Sequence, residues 1–406
     1  MDELSAFGTV VLVVAGGFSV AILANKVTDY FPLPAPVLFL VAAAVASDVF
    51  SSLEDALSIR DVERIGVVAL ILILFDGGMH VGWTRFRAAA LPIASLGVLG
   101  TFATAGILAV AAHVLLGLDW TAAWILGAAL APTDPAVMFS VLGNREVAGR
   151  TGTILEGESG ANDPVGIALM IGMLEFATAD DGTVWTIVGE FSLEMGVGLG
   201  VGLGGTALLL PLMRRVSLPS AGLYPLRTLA AAGVIYGVAS VAHGSGFLAV
   251  FVAGLLVGNA PAPLKDEIER FHTSLASLAE IAVFAALGLT LDLTEVLSDT
   301  VAVEGLLLAG ILALVARPVV VALLLLPARL TWGERAFVAW GGLKGAVPIL
   351  LAAFALLAAV DEAERIYDIV FVVVALSVIV QGSTISLAAR RLGVPMRDAE
   401  APESDY

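Results

Sequence analysis

Apolar runs long enough to cross a bilayer follow one another from end to end of this chain, separated by short polar breaks. A soluble core cannot absorb that pattern, whereas helices bond every backbone group internally and span the hydrocarbon with about 20 residues each. Composition agrees: 59% of the 406 residues are hydrophobic and 14% are charged, against about a half and a quarter in a soluble domain. The chain is therefore expected to be an all-α polytopic membrane protein whose length counts helices. It opens Met1-Asp2-Glu3 with neither a basic stretch nor a small-residue cleavage site, so the first apolar run is read as a retained span.

Apolar windows between turn signals give about 13 transmembrane helices, at 6–24, 34–49, 62–80, 88–116, 121–142, 150–177, 183–213, 224–242, 245–260, 272–292, 301–327, 334–359 and 366–389. Lys and Arg test that count, because they gather in cytoplasmic loops. Fifteen of the twenty fall in alternate loops, among them Lys26, Arg85, Arg87, Arg150, Arg214, Arg215, Lys265 and Arg335. The opposite loops hold only Arg60, Arg64 and Arg365, beside acids such as Asp180, Asp181, Asp299, Asp361 and Glu362. The expected topology has the N-terminus outside and the C-terminus cytoplasmic, in the plasma (inner) membrane of a prokaryote. Residues 1–389 form the transmembrane domain and 390–406 a short, polar, disordered cytoplasmic tail. A net charge of −17 speaks against nucleic-acid binding. With no cysteine, disulfides and thiolate metal sites are excluded, and no cofactor is expected.

Two spans carry helix breakers near their middles, the fifth in APTDP (131–135) and the twelfth in GGLKGAVP (341–348). Proline donates no backbone hydrogen bond and glycine weakens a helix, so both should unwind. If helices one to six and eight to thirteen are inverted repeats around the seventh, the breaks correspond, and matched broken helices mark a transporter's binding site.

Charges inside the spans point to the same place. The sixth span enters near Arg150, so Asp163 lies about a dozen residues and roughly 18 Å in, at ~1.5 Å per residue. Asp134, Arg317 and Lys344 reach similar depth by the same count. Ionised groups there cost several kcal/mol unless they meet a cavity, a partner or an ion. Glu158, Asp163 and Asp134 outnumber Arg317 and Lys344, and the surplus negative charge must take up a proton or a cation. Helical spacing pairs Glu158 with Asn162 and Ser159 with Asp163. Asp163, Ser159, the Thr133 hydroxyl and freed carbonyls offer hard oxygen ligands suited to an alkali cation, while Asn162 would tie broken-helix backbone together. Glu156 and Asp76 are candidates for the pathway, both nearer the cytoplasmic side. Glu280, mid-span in the tenth helix, fits either a cation path or an interface. His113, His243 and His272 fall near helix ends, where a satisfied or wet imidazole is the ordinary case. The glycine run 196–205 in the seventh span is read as close helix packing.

These residues resemble the NhaP/NHE-type antiporters of the monovalent cation:proton antiporter superfamily, over essentially the whole membrane chain. The resemblance rests on Thr133-Asp134-Pro135 in a broken fifth helix, Glu158-Ser159 followed by Asn162-Asp163, Arg317-Pro318 in the eleventh span, and 342–348 in the twelfth. It implies an NhaA/NhaP-like fold, with core helices 3–6 and 10–13 moving against interface helices 1–2 and 7–9 in a homodimer. It further implies that Asp163 is loaded alternately with cation and proton, helped by Thr133, Ser159 and Glu158. Glu158 would pair with Arg317, Asn162 would brace the crossing, and Lys344 with Asp134 would neutralise half-helix ends. An Asn-Asp pair goes with electroneutral exchange of one cation for one proton. One departure is Lys344, where this group often has Arg.

Other classes compete with that expectation. A cation-coupled organic solute symporter would share the fold, and an ion channel could use the same oxygens, although filters usually repeat by oligomer symmetry. The segments GESG (157–160) and HGSG (243–246) look like the Gly-x-Ser-Gly of an intramembrane serine protease, which needs a buried Ser within reach of a His. The favoured expectation is an antiporter, not an enzyme, exchanging protons for Na⁺, with K⁺ or Li⁺ as alternatives.

Overall fold

The structure, a computed structural model, describes residues 19, 35–49, 57–134, 138, 141–142, 145–178, 183–291, 293 and 299–398. The expected first span apart from Ser19, and with it Lys26, Pro135, Asp180 and Asp181, lies outside the described residues.

Among the described residues, regular structure is helical apart from one two-stranded sheet. The second to fourth spans are α1 (Ala35–Val49), α2 (Ile59–Ala88) and α3 (Ala90–Leu116). The fifth opens with α4 (Trp120–Leu130), and the sixth is α5 (Gly149–Thr178). The seventh to tenth are α6 (Val184–Arg215), α7 (Leu223–Val241), α8 (Gly246–Gly258) and α9 (Lys265–Leu289). The eleventh is α10 (Thr300–Leu324), the twelfth is split into α11 (Trp332–Trp340) and α12 (Ala346–Leu357), and the thirteenth is α13 (Ala363–Leu392).

Six of these helices, α2, α3, α6, α9, α10 and α13, are long and apolar enough to cross a membrane. At 30 residues α5 has the length as well, but it carries the carboxylates of the candidate site. Wider π-helical turns interrupt α3 at Ser95–Gly100 and α10 at Leu312–Ala316. The fourth and eleventh spans thus deviate alike, as the fifth and twelfth do, which is the correspondence an inverted repeat requires.

Starts are capped by short polar side chains. Ser58, Asp119, Thr183, Ser245 and Thr331 each accept a first-turn N–H, satisfying donors with no partner inside the helix. The tenth span begins seven residues earlier than its expected start at 272, because Asp266 and Glu267 suit the positive end of a helix. The third span outruns its expected end at 80 by kinking at Gly82, whose φ is +64°. Asn259 holds the kink by accepting the Thr84 N–H at 2.8 Å.

Packing separates two groups of helices. In one, α2 lies along α8 so closely that a Cβ on Gly78 would meet the Phe251 carbonyl. Around that contact α1, α6, α7 and α9 assemble, with Phe75, Met79, Met213 and Ile235 in a shared apolar cluster. Gly198 and Gly202 of the glycine run face Ser245 and Ala249 carbonyls at the α8 end, the close packing expected of them. In the other group α3 packs on α4 and α5, and α13 on α10 and α12. The sequence reading puts the third and tenth spans with the core; here α2 and α9 pack mainly against each other and against α1 and α8. α5 and α12 form most of the boundary between the groups, meeting α2, α6 and α9.

A disordered tail from Arg390 is not what the structure shows through Asp398. α13 runs to Leu392 and closes at Gly393 with φ +65°. Strand β2 (Met396–Asp398) then pairs antiparallel with β1 (Arg145–Val147), just before α5. The Ala148 N–H donates to the Pro395 carbonyl at 2.9 Å, so the end of the last span is stitched to the start of the sixth.

Candidate functional site

α4 stops at Leu130 and the chain runs unwound through Asp134; α11 stops at Trp340 and α12 begins at Ala346. The two breaks touch, for the Asp134 N–H donates to the Leu343 carbonyl at 2.8 Å. Each break strands backbone groups in a water-free interior, where they need partners. Lys344, fully buried, supplies one set: its Nζ donates to the carbonyls of Ala131 at 2.9 Å and Pro132 at 2.7 Å. A positive charge thereby sits at the negative end of α4. The reverse occurs across the crossing. Asp134 lays its carboxylate against Gly345, the residue before α12, where a Cβ would collide with it. Only glycine admits that approach, which puts a negative charge at the positive end of α12.

α5 crosses beside the fifth-span break. Asn162 donates from Nδ2 to the Thr133 hydroxyl at 2.7 Å and accepts the Thr133 N–H at 3.4 Å. The two bonds tie α5 to the unwound segment through one residue. Asp163 follows, 4% exposed, in electrostatic contact with Asp134 and Lys344. Its Oδ1 accepts no hydrogen bond among the described residues. Ser159, one turn earlier on the same helix, is buried as well. Thr133, Asp134, Ser159, Asn162, Asp163 and Lys344 thus surround the crossing.

Glu158 is used differently. Both its oxygens are taken by Arg317, Oε1 by Nη1 and Oε2 by Nη2 at 2.8 Å, in a pair almost wholly removed from solvent. Arg317 also reaches the Val338 carbonyl at 3.4 Å and lies flat against Gly342. The two-pronged geometry is the strong form of this interaction. It locks α5 to α10 and to the end of α11, so the structure places Glu158 in a brace.

Glu156 and Asp76 stand apart from the crossing. Glu156 lies 4.0 Å from Arg85, and Asp76 accepts from Thr273 at 3.1 Å with His80 3.3 Å away. Both lie toward the end of the molecule that carries Arg85, Arg87, Lys265 and Arg335. His272 is buried and bonded to Thr228 at 2.8 Å, a satisfied core histidine. In the HGSG segment (243–246) Ser245 is occupied capping α8.

A further polar pair escaped the sequence reading. On a π-helical turn of α13 (Ser377–Gly382), Ser377 accepts the Lys344 N–H at 3.1 Å and donates to Gln381 at 2.7 Å. Gln381 in turn donates to the Trp340 carbonyl at 3.0 Å. The two ends of the twelfth-span break are held from one helix. The available signal was a Ser and a Gln four apart in an otherwise apolar span, spacing that places both on one face.

Residues 10–391 match the family described as sodium/hydrogen exchanger, transmembrane. The chain is 35% identical over 411 residues to the K⁺/H⁺ antiporter NhaP of Alkalimonas amylolytica, covering 98% of this chain and 70% of that one. It is 32% identical over 412 residues to the K⁺/H⁺ antiporter NhaP2 of Shewanella sp. (strain ANA-3), covering 99% and 70%. The Na⁺/H⁺ antiporter ApNhaP of Aphanothece halophytica is 26% identical over 79% of this chain and 63% of its own. Among solved structures, the sodium proton antiporter MjNhaP1 of Methanocaldococcus jannaschii superposes with a TM-score of 0.81 at 22% identity, covering 97% of this chain and 99% of that one. That last likeness concerns the fold.

Proposed function

Because the chain belongs to the sodium/hydrogen exchanger family, we propose that Asp163 is the carboxylate at which this monovalent-cation/proton antiporter loads cation and proton in turn. The observation that supports this reading is an oxygen of Asp163 that is buried beside two unwound helices and accepts no hydrogen bond among the described residues. A carboxylate so placed gains from a proton or a cation and is costly when empty and charged. Ser159, Thr133 and break carbonyls stand close enough in the chain to complete an oxygen shell for an alkali ion.

Exchange then follows from competition. A proton and a cation each neutralise Asp163, so either loaded site can change sides, whereas the empty site carries a bare charge that holds it back. Lys344 and Asp134 balance the half-helix ends permanently, and neither has to titrate for the cycle to turn. Asn162 is committed to Thr133, which leaves one acid at this step and supports one proton per cation.

The moving parts in this reading are the two packing groups, sliding along the boundary formed by α5 and α12. The basic end faces the cytoplasm, as positive charge in short loops favours, and the protein sits in the plasma membrane. The homodimer is carried over from the family resemblance, which gives the interface to the side of α6, whose Trp185, Leu208 and Leu212 face outward. For the cargo, the relatives of 35% and 32% identity are K⁺/H⁺ antiporters and the one of 26% is a Na⁺/H⁺ antiporter. That ranking moves the favoured ion from Na⁺ toward K⁺.

The test is cation-driven proton movement in proteoliposomes, with NaCl, KCl and LiCl added across a range of pH. Wild-type protein is expected to respond to K⁺ at least as strongly as to Na⁺, and Asp163→Asn to neither. A folded wild-type protein silent to all three ions would sink the reading.

A further inference from the structure

Glu280 sits in the middle of α9 and takes no part in the crossing described above. Its Oε1 is buried and accepts no hydrogen bond among the described residues, as is true of Asp163 Oδ1. Its helix packs on α12, which begins at the twelfth-span break, and Asp134 at the fifth-span break is the charge that bears on it. The two carboxylates stand on opposite packing groups, for α9 belongs with α1, α2 and α8 whereas the break belongs with α5 and α12. Glu280 therefore faces the site from across the boundary.

A line of polar side chains leads to it. Thr273, Ser277 and Glu280 are spaced by four and three residues, so they share one face of α9. Thr273 donates to Asp76 on α2 at 3.1 Å, and Asp76 lies 3.3 Å from His80. His80 opens in turn on a cavity of about 280 Å³ at the basic end, lined also by Gly82, Arg85, Asn259 and Glu269. Polar groups along one seam from an open cavity to a half-buried acid are what a hydrated cation needs as it sheds water in steps.

The charges around Glu280 are few. α2 presents Asp76 and His80, and α1 carries Asp48 beyond the far end of the seam, near Leu289. α7 has Arg227, which is spent on α6 carbonyls. α12 has no charged residue of its own, and Lys344 just before it is turned to Ala131 and Pro132.

We propose that Glu280 is a second exchange carboxylate, a staging site through which the monovalent cation and the proton pass between the cavity at the basic end and Asp163. This rests on the reading of Asp163 as the transport carboxylate. Stoichiometry is unchanged, because Glu280 stays on its own side of the boundary and hands on what it receives. Its negative charge attracts cation and proton alike toward the crossing.

The experiment compares the full chain with Glu280→Gln and Glu280→Asp in proteoliposomes, titrating KCl and NaCl at several pH values. Glu280→Gln is expected to keep exchange at saturating cation. The cation concentration for half-maximal exchange should rise about fivefold and the pH profile move about half a unit toward acid, the scale of one like charge removed at moderate distance. Glu280→Asp should restore most of both. Because the chain has no cysteine, Ser277→Cys adds a second measurement, and a membrane-impermeant thiol reagent applied at the basic end should label it more slowly in KCl than in choline chloride. Wild-type half-saturation and pH profile in Glu280→Gln overturn the proposal. So does a lower maximal rate in both Glu280 variants with half-saturation and profile unmoved, which is the mark of a merely structural acid, or an unlabelled Ser277→Cys. A wild-type protein with no cation response would instead count against the reading of Asp163.

Discussion

The fifth and twelfth spans present the same backbone problem and answer it with different side chains. Each is unwound near its middle, and each is held by the helix that follows it: Asn162 on α5 ties Thr133, whereas Ser377 and Gln381 on α13 tie Lys344 and Trp340. The bracing amide recurs, but the residue beside it does not. Next to Asn162 stands Asp163, while Gln381 is followed by Gly382 and its turn carries no charge. The comparison teaches that bracing a broken helix and binding cargo are separable tasks. Both halves do the first, and in the proposed reading only the fifth–sixth pair does the second.

The strongest way to break that comparison is to remove the addition alone. Asp163→Asn should abolish cation-driven proton movement, yet leave thermal unfolding in detergent near that of the wild type or above it, since a buried charge is gone. Disrupting a brace should do the opposite. Glu158→Ala or Arg317→Ala leaves one charge buried and unpaired, a loss of about 3–5 kcal/mol. Removing both partners together should cost less than either single change, and unfolding temperatures of the three variants would show that ordering directly.

How much of this was legible in the sequence depends on what each feature demands locally. The spans were legible because burial in lipid requires long apolar runs, and the breaks because Pro and Gly cluster around a charged residue in 131–135 and 341–348 and together weaken the helix there. Asp163, Lys344 and Asp134 stood out because charge at mid-depth is rare and needs a reason, and Asn162 because it adjoins Asp163 one turn after Glu158. The role of Glu158 was less so, since spacing along α5 says which face a residue is on and not which partner claims it. Three features depended on distant contacts and left weaker marks. The side on which α2 and α9 pack follows from glycine contacts such as Gly78 against Phe251. The pairing of Met396–Asp398 with Arg145–Val147 joins segments about 250 residues apart in a region that reads as polar tail. Ser377 and Gln381 were visible as polar residues, but their targets are backbone groups of another helix.

Smaller effects sharpen the comparison between the two breaks. Lys344→Met strands the carbonyls of Ala131 and Pro132 and removes the positive charge beside Asp163; a loss of about 2–3 kcal/mol is expected. Gln381→Leu frees one carbonyl and the Ser377 hydroxyl, for about 1–2 kcal/mol. If bracing and binding are separable, Gln381→Leu should lower the unfolding temperature with little change in the cation concentration for half-maximal exchange. A large shift in that concentration at unchanged stability would join the two tasks again.

The smallest effect is expected at the rim. Arg85 and Glu156 are 4.0 Å apart, and their side chains are 45% and 25% exposed. Water and salt screen such a pair, and exposed ion pairs contribute about 0–1 kcal/mol. Arg85→Ala should therefore leave thermal unfolding within error of the wild type, in contrast to Arg317→Ala with the same charge removed. Its consequence should appear in access. Arg85 borders the cavity at the basic end, where a fixed positive charge repels an arriving cation, so its loss should speed exchange at subsaturating K⁺ in low salt and do nothing at high ionic strength. A melting shift as large as that of Arg317→Ala would mean that the rim pair is structural, and the distinction between interior braces and surface charges would fall with it.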